Sequence, residues 1–295
     1  MRCLTALAAG AMVLAAAQAP VFGASAATPD PKGPQYQMKG AQYRTYYFKE
    51  ADESVPYRLY VPTKWNPAVK SPLLIWLNPS LKLDLPFERG DNVLEKMAEQ
   101  RGYIVAVPGG YQRPKPRYNS PYLPLSAKDQ KEGARAGQAP PPGSPPPSTP
   151  AEKATAIERE RSEQDVFYVM DIVLQEYNAD PARVYMFGNS YAGEGVWYLA
   201  QKYARRFAAV GVGSAPINMD GYPYDKLQGV GLIVVHGDHD DVNSFEAAKK
   251  GAQQAKEHGV DVAWTPVKDG THLEAWCLAM PQILDFFDKH RKSGK

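Results

Sequence analysis

One stretch decides the fold: Arg183-Val184-Tyr185-Met186-Phe187-Gly188-Asn189-Ser190-Tyr191-Ala192-Gly193. It begins as a short apolar run of β-strand character, and the small residues after that run suit a sharp turn. Helical spacing follows over residues 191–204. A strand that enters a helix through such a turn lifts a side chain at the turn above the edge of a sheet. Ser190 occupies that position, which makes it the candidate nucleophile.

Small residues surround Ser190 because a tight turn brings neighbouring backbone close together. Gly188, Ala192 and Gly193 supply them. The backbone amide of Tyr191 begins the predicted helix, where the helix dipole favours negative charge, so it is a candidate oxyanion donor. A serine between small residues also commonly caps a helix. The apolar strand directly before Ser190 favours the nucleophile over the cap.

Short apolar runs alternate with helical segments along most of the chain, which is typical of a parallel sheet covered on both faces. The predicted strands cover residues 73–77, 103–107, 184–187, 208–212, 232–235 and 260–264. The predicted helices cover residues 93–98 after a cap at Asp91, then 166–177, 191–204, 245–258 and 282–290. We therefore predict an α/β fold with a mostly parallel central sheet and helices on both faces.

Two runs of aromatic and β-branched residues precede this pattern. They cover residues 43–48 and 55–61 and flank the polar segment 50–54. Such an arrangement predicts an antiparallel hairpin. We expect the hairpin to lie at an edge of the central sheet.

The first 26 residues have the pattern of a secretory signal peptide. Arg2 gives a positive start, residues 4–17 are apolar, and Ala24-Ser25-Ala26 offers small residues for cleavage. We expect cleavage near Ala27 and export to a periplasm or to the medium, with an uncleaved N-terminal anchor as the alternative. Neither this run nor any later stretch is long and apolar enough to span a bilayer, so we expect no stable membrane insertion.

Residues 27–42 are rich in Pro, Gly and Gln and are predicted to be a flexible leader. One domain over residues 43–295 follows, because this length suits a single α/β domain. Within it, residues 118–150 form an insertion with three consecutive prolines at 140–142 and again at 145–147. This composition favours extended polyproline conformations and cannot build a core. We expect a surface loop, and a lid over the site is the alternative.

Charge and cysteine content exclude some classes of function. Lys and Arg number 34 against 32 Asp and Glu, without a dense basic block, so we expect no nucleic-acid partner. Cys3 lies in the predicted signal, which leaves Cys277 alone in the mature chain without an internal disulfide. Cys277 follows Trp276 in an apolar setting, and we interpret it as a small buried hydrophobe rather than a reactive thiol.

A serine nucleophile needs a base, and the chain order serine, acid, histidine directs the search. His272 lies in a loop between the last predicted strand and the last predicted helix and is the candidate base. His239, in a polar loop, is the rival. The other histidines are interpreted as structural, since His236 ends a strand, and His258 and His290 end helices.

Three aspartates follow the penultimate predicted strand. Asp240 is the candidate acid, because this loop can approach the histidine from the side away from the serine. Asp241 could instead cap the next helix, and Asp238 could brace the turn. The cluster could also suggest a metal site, but adjacent residues rarely converge on one ion. We therefore expect no metal and no cofactor.

These motifs resemble the secreted polyhydroxybutyrate-depolymerase and feruloyl-esterase-like branch of the α/β-hydrolases over about residues 43–287. Dienelactone hydrolases and prolyl-oligopeptidase catalytic domains are more distantly similar. The resemblance rests on Tyr57-Arg58-Leu59-Tyr60-Val61-Pro62, Asp180-Pro181-Ala182-Arg183-Val184-Tyr185, His236-Gly237-Asp238-His239-Asp240 and Gly270-Thr271-His272. It implies the α/β-hydrolase fold and a triad of Ser190, Asp240 and His272.

The chain departs from that family pattern at two places. After the first core strand it has Leu77-Asn78-Pro79-Ser80, where relatives usually have His-Gly and a donor residue. Because Pro79 has no amide hydrogen, we expect the second oxyanion donor to be the backbone of Ser80 or Leu81, or the Asn78 side chain. Ala192 stands where glycine is usual, which adds one methyl group at the elbow, the sharp turn that carries Ser190 between strand and helix.

The resemblance and the three residues together predict an exported serine hydrolase that cleaves a small-molecule or polymeric carboxylic ester through an acyl-enzyme. A secreted peptidase of the prolyl-oligopeptidase type is the first alternative, because the same groups cleave amides. The second is a catalytically weak homologue that binds a polymer or glycan through exposed tyrosines such as Tyr111, Tyr118 and Tyr122.

Overall fold

The apolar runs form one eight-stranded sheet in the computed structural model, which describes residues 38–78, 83–111 and 156–292. In chain order the strands are β1 (Gly40–Phe48), β2 (Glu53–Val61), β3 (Ser71–Leu77), β4 (Ile104–Pro108), β5 (Ala179–Asn189), β6 (Ala209–Gly213), β7 (Gly231–Gly237) and β8 (Asp261–Val267). Across the sheet they lie in the order β1-β2-β4-β3-β5-β6-β7-β8.

The strands from β3 to β8 run parallel to one another. Strands β1 and β2 form an antiparallel hairpin, which joins the edge of the sheet through an antiparallel pairing of β2 with β4. The predicted α/β architecture with an N-terminal antiparallel hairpin is therefore confirmed. Successive side chains of a strand face opposite sides, so Leu73 and Ile75 enter one core, whereas Leu74 and Trp76 enter the other.

Helices cover both faces of the sheet. In chain order they are α1 (Leu85–Glu88), α2 (Val93–Arg101), α3 (Ala156–Glu176), α4 (Tyr191–Lys202), α5 (Phe245–Glu257), α6 (Ala275–Leu278) and α7 (Met280–Asp288). Helices α3, α4 and α5 pack on the face of Leu73, and α1, α2, α6 and α7 pack on the face of Leu74. None of the helices in the described ranges has both the length and the apolar character that crossing a bilayer requires.

Strand β1 begins three residues earlier than predicted, at Gly40, inside the expected leader 27–42. Buried Gln42 explains the difference: its amide donates to the Met38 carbonyl at 2.8 Å, and its side-chain oxygen accepts from the Tyr177 hydroxyl at 3.3 Å. These contacts leave no periodic pattern in the sequence. The predicted signal peptide, the predicted leader up to residue 37 and the predicted insertion 118–150 lie outside the described residues.

The cap predicted for helix α2 is wrong. Asn92, not Asp91, occupies the N-cap position, with a left-handed φ of +59° and no side-chain capping bond. Asp91 instead pairs with the ammonium group of Lys96. The Asp91 carboxylate, which was predicted to cap α2, therefore forms an exposed ion pair instead.

Cys277 packs as a small hydrophobe on the α6 side of the sheet. A Cβ atom on Gly90 would lie 2.8 Å from the Cys277 Cβ, so Cys277 needs a glycine at position 90. Burial raises the pKa of the Cys277 thiol to about 11. The thiol is therefore protonated at neutral pH, which disfavours nucleophilic chemistry.

A buried carboxylate from α3 holds the end of β4. Asp165 accepts hydrogen bonds from the Tyr46 hydroxyl at 2.7 Å and from the Gly110 amide at 2.8 Å. Burial raises the pKa of Asp165 to about 6, although both hydrogen bonds act to lower it. The contact joins the hairpin, β4 and α3 at the edge of the sheet to which the carboxyl ends of the parallel strands point.

We expect Asp165→Asn to remove a pH-dependent loss of stability. Because the folded pKa lies above that of the unfolded chain, the wild type loses stability as the pH rises from about 4 to about 6. The loss is at most about 3 kcal/mol for a shift of this size. Free energies of unfolding in urea should therefore favour the variant more at pH 7 than at pH 4. An equal difference at both pH values would contradict the shifted titration.

Candidate active site

Ser190 lies between the end of β5 and the start of α4 in a strained backbone conformation, with φ +58° and ψ −130°. Such a backbone costs about 1–3 kcal/mol in a residue other than glycine and persists only where its surroundings hold it. The Ser190 amide donates to the Gly213 carbonyl at 2.9 Å, and the Gly193 amide donates to the Ser190 carbonyl at 2.8 Å. Strand β6 and the first turn of α4 thus hold the turn from both sides.

Close packing explains the small residues around Ser190. A Cβ atom on Gly188 would lie 2.6 Å from the backbone of Ala192, and one on Gly193 would lie 2.4 Å from the Cβ of Ala215. Real Cβ atoms do not approach other atoms so closely, so both positions require glycine. These contacts let α4 turn back over β5 directly after the serine.

The structure brings Ser190, His272 and Asp240 together at the carboxyl edge of the sheet. His272 Nε2 lies 3.1 Å from Ser190 Oγ, and His272 Nδ1 lies 2.9 Å from Asp240 Oδ2. A carboxylate only accepts hydrogen bonds, so Nδ1 carries the proton of a neutral imidazole. Nε2 is then the acceptor, and the Ser190 hydroxyl donates to it. The three side chains therefore have the geometry that passes a proton from serine to histidine.

Asp240 is held by four donors. Its Oδ1 accepts from the backbone amides of Val242 and Asn243, both at 2.9 Å. Its Oδ2 faces His272 and a second imidazole, that of His236, whose Nε2 lies 3.1 Å away. Although burial alone raises the pKa of the Asp240 carboxyl, the hydrogen bonds from both histidines bring it well below its usual range. Asp240 is therefore ionised across the physiological pH range.

Sequence reasoning missed the contact between His236 and Asp240. The prediction of a buried, hydrogen-bonded His236 is confirmed, since the residue is 0% exposed. Its partner was not predicted. The turn at Gly237, whose carbonyl accepts from the Asp240 amide at 3.2 Å, brings the two side chains together. Their spacing of four residues across a glycine turn was the available signal.

The other histidines lie away from this group. His258 caps the end of α5 as predicted, whereas His290 lies two residues beyond the end of α7. Their Nδ1 atoms lie 2.8 and 2.7 Å from the Gln254 and Phe286 carbonyls, one turn earlier. His239, the rival base, is exposed, and its Nε2 lies 3.7 Å from a carboxylate oxygen of Asp269. His272 is thus the histidine that contacts the Ser190 hydroxyl.

The two neighbouring aspartates are both exposed, unlike Asp240. Asp241 does not cap helix α5, because Ser244 occupies the cap and its hydroxyl accepts from the Ala247 amide at 3.2 Å. Asp238 braces two loops, since its carboxylate accepts from the Asp269 amide at 2.6 Å. Of these three aspartates, Asp240 is thus the one whose carboxylate contacts His272.

Asp238, His239 and Asp269 form an exposed cluster whose candidate ligand atoms all lie within 4.8 Å of one another. The approach of Asp269 from the loop after β8 was not predicted. Exposed carboxylates and histidines commonly lie together on protein surfaces, and one Asp238 oxygen already accepts a backbone amide. We assign no metal to this cluster.

Of the predicted oxyanion donors, the structure describes Tyr191 and Asn78. Tyr191 is the first residue of α4, so its amide lies in the helix turn where N–H groups point along the axis toward the site. Ser80 and Leu81 lie outside the described residues. Asn78, directly after β3, is 0% exposed.

Solved structures with a similar fold are numerous. A thermostable esterase shares 19% identity and a TM-score of 0.60, over 85% of this chain and 63% of its own. A ferulic acid esterase shares 17% identity and a TM-score of 0.58, over 85% of this chain and 99% of its own. An S-formylglutathione hydrolase from Agrobacterium tumefaciens shares 14% identity and a TM-score of 0.56, over 86% and 95%.

No protein-family model and no curated protein sequence matches the chain. At these identities, the structural similarities establish the α/β-hydrolase fold. They also show that the chain spans somewhat less than two thirds of the thermostable esterase. A shared fold does not fix an activity, which depends on the side chains at the site.

We expect Gly193→Ala to destabilise the protein, because its Cβ atom would overlap that of Ala215. Overpacking of this kind costs about 1–3 kcal/mol. Gly251→Ala, inside α5, is the matched control: its nearest neighbour is a Met219 atom at 3.5 Å, and alanine is the better helix former there. Thermal unfolding should show a lower melting temperature for the first variant only. Equal melting temperatures would contradict the close packing of the elbow.

Proposed function

We propose that this chain is a serine hydrolase that cleaves carboxylic esters, with Ser190 as nucleophile, His272 as general base and Asp240 as the orienting acid. The observation that carries the proposal is the pair of contacts made by one imidazole, 3.1 Å from Nε2 to Ser190 Oγ and 2.9 Å from Nδ1 to Asp240 Oδ2. Each nitrogen has one partner of the required kind. The strained turn that presents the serine supports the same assignment.

In the proposed reaction, Ser190 Oγ attacks the ester carbonyl while its proton passes to His272 Nε2. The protonated imidazole then gives that proton to the leaving alcohol, and an acyl group stays on the serine. Water repeats the sequence: His272 takes a proton from the water, the hydroxide attacks the acyl carbonyl, and the proton returns to Ser190. Asp240 is not protonated in any step; it keeps Nδ1 of the imidazole protonated and stabilises its positive form.

The negative oxygen formed in each attack needs hydrogen-bond donors. We propose the Tyr191 amide as the first, because it lies at the start of α4, where the helix dipole favours an anion. The second donor is proposed from the backbone of Ser80 or Leu81, which follow β3 in the sequence. Strand β3 pairs directly with β5, so its carboxyl end lies beside the elbow.

The substrate class is proposed from the resemblance of the motifs to polyhydroxybutyrate-depolymerase and feruloyl-esterase-like proteins. That resemblance favours an ester of a small molecule or a polymer. A peptidase could use the same three residues on an amide, and a polymer-binding protein could keep them without turnover. The cleavage of an ester or of an amide, together with labelling of the nucleophile, distinguishes these two functions from the esterase. No nucleic acid takes part in the proposed reaction.

The experiment combines a short-chain p-nitrophenyl ester assay with labelling by a fluorophosphonate probe and mass mapping of the labelled peptide. We expect hydrolysis of the ester and a label on Ser190. Ser190→Ala and His272→Ala should each lower kcat/KM about a thousandfold or more, and Asp240→Asn by about a thousandfold to ten-thousandfold.

Matched controls separate these effects from general damage. Ser54→Ala changes an exposed strand serine, His239→Ala removes the exposed rival histidine, and Asp241→Asn neutralises the neighbouring exposed aspartate. All three should keep activity within about twofold of the wild type. A label elsewhere than on Ser190, or activity lost equally in His239→Ala and His272→Ala, would refute the assignment. Cleavage of an aminoacyl amide in preference to the ester would favour the peptidase.

We infer separately that the chain is exported, because residues 1–26 have a positive start, an apolar run and a small-residue cleavage site. Expression of the full chain in a bacterial host should yield a protein whose N-terminal sequence begins near Ala27. Arg2→Glu, which reverses the positive start, should slow the processing. Recovery of the uncleaved chain from the soluble cytoplasmic fraction would contradict export.

A further inference from the structure

A second buried histidine contacts the candidate triad on the side away from Ser190. His236 is the penultimate residue of strand β7 and is 0% exposed. Its Nε2 lies 3.1 Å from Asp240 Oδ2 and 3.2 Å from the backbone carbonyl of Asn243. The ring of Phe245 stands edge-on to it, with 5.9 Å between the ring centroids. The proton transfers between Ser190 and His272 do not involve this histidine.

The partners of His236 fix its protonation. A carboxylate oxygen and a carbonyl oxygen only accept hydrogen bonds, so Nε2 must carry a proton. Nδ1 is buried and has no hydrogen-bond partner among the described residues. A proton there would be an unsatisfied buried donor on a charged ring, which is costly. The imidazole is therefore neutral, with its one proton at Nε2.

We propose that His236 is a positioning residue for the hydrolysis, and that its neutral Nε2–H holds the Asp240 carboxylate in the orientation that His272 requires. The inference rests on the proposed function of Ser190, His272 and Asp240. Asp240 Oδ2 is the oxygen closest to His272 Nδ1, at 2.9 Å, so a donor on that atom acts directly on the orienting bond. His236 touches neither the reacting hydroxyl nor the base.

The neutrality of His236 matters for the charge at the site. His272 becomes positive in the transition state, and the single negative charge of Asp240 stabilises it. A cationic histidine on the same carboxylate would oppose that positive charge, whereas a neutral donor supplies a hydrogen bond without competing. His236 thus stabilises the ionised acid and leaves its charge available to His272.

Four elements pack around the group formed by His236, Asp240 and Asn243. Strand β7 contributes His236, and the loop after β8 contributes His272. The loop after β6 contributes the Ser214 carbonyl, to which the Asn243 side chain donates at 2.6 Å, and α5 contributes Phe245. The carboxylates of Asp238 and Asp241 on the same loop as Asp240 are exposed. The two histidines are therefore the titratable groups that contact Asp240 within the described residues.

Two substitutions test the proposal. His236→Phe removes both ring nitrogens and keeps a flat ring, whereas His236→Gln keeps an N–H donor at about the distance of Nε2 from the backbone. Phenylalanine should lower kcat about tenfold or more with little change in KM, because a misplaced orienting group slows the chemical step. It should also move the acid limb of kcat/KM upward by about half a pH unit, because a carboxylate with one fewer donor favours positive His272 more strongly. Glutamine should restore most of both quantities.

A purely structural role would lower the melting temperature without moving the acid limb. A folded His236→Phe variant with the wild-type kcat and acid limb would therefore overturn the proposal, as would a glutamine variant no better than phenylalanine. If the phenylalanine variant does not fold, nitrogen-15 NMR of histidine-labelled wild type decides at pH 7.5. The His236 signal should show a protonated Nε2 and a bare Nδ1, and a proton on Nδ1 would refute the proposal.

Failure of the proposed function gives a different result. Wild-type protein that neither hydrolyses the ester nor takes the fluorophosphonate label refutes the enzyme, whatever the His236 tautomer. Wild-type protein that does both, with both His236 variants behaving as wild type, refutes the positioning role alone.

Discussion

The negative charge of Asp240, whose side chain is 0% exposed, is the constraint on which the rest of the site depends. A buried carboxylate is tolerated only where donors replace the water it has lost. Two backbone amides satisfy Oδ1, and two imidazoles face Oδ2. The loop from Asp240 to Asn243 must therefore fold back on its own carboxylate, and His272 must come within reach. One electrostatic requirement thus constrains the positions of both Asp240 and His272.

Backbone contacts turn these loops into one unit with the elbow. The His239 amide donates to the Gly270 carbonyl at 3.0 Å, and a Cβ atom on Gly237 would lie only 2.0 Å from that carbonyl oxygen. The acid loop and the histidine loop therefore pack backbone against backbone. On the other side, the end of β6 accepts both the Ser190 amide, at the Gly213 carbonyl, and the Asn243 side chain, at the Ser214 carbonyl. The carboxyl end of β6 and the residue after it thus support both the Ser190 turn and the loop that carries Asp240.

Sequence reasoning succeeds where the cause is local. The strand that enters the elbow, the alternation of apolar runs with helices and the aromatic hairpin all leave a periodic pattern, and the corresponding elements form as predicted. It fails where a side chain chooses among distant or competing partners. Gln42 lies in β1 before the predicted start of the strand and accepts a hydrogen bond from Tyr177. Asp91 pairs with Lys96 instead of capping α2, and Ser244 rather than Asp241 caps α5. The His236 contact belongs to the same class, because its geometry depends on how tightly the Gly237 turn closes.

The three residues of the site follow regular strands, and this explains why the sequence predicts the chemistry of the site better than the substrate. Ser190, Asp240 and His272 follow β5, β7 and β8, on one side of the sheet, where strand register and backbone bonds dictate their meeting. On the other side of the elbow, β3 and β4 lead into sequences with no periodic pattern, namely Asn78-Pro79-Ser80 and the proline-rich insertion. The carboxyl ends of all these parallel strands point to the same edge, where ligands bind in α/β folds. Regular elements therefore fix the positions of these three side chains, whereas secondary-structure periodicity does not constrain the segments that follow β3 and β4.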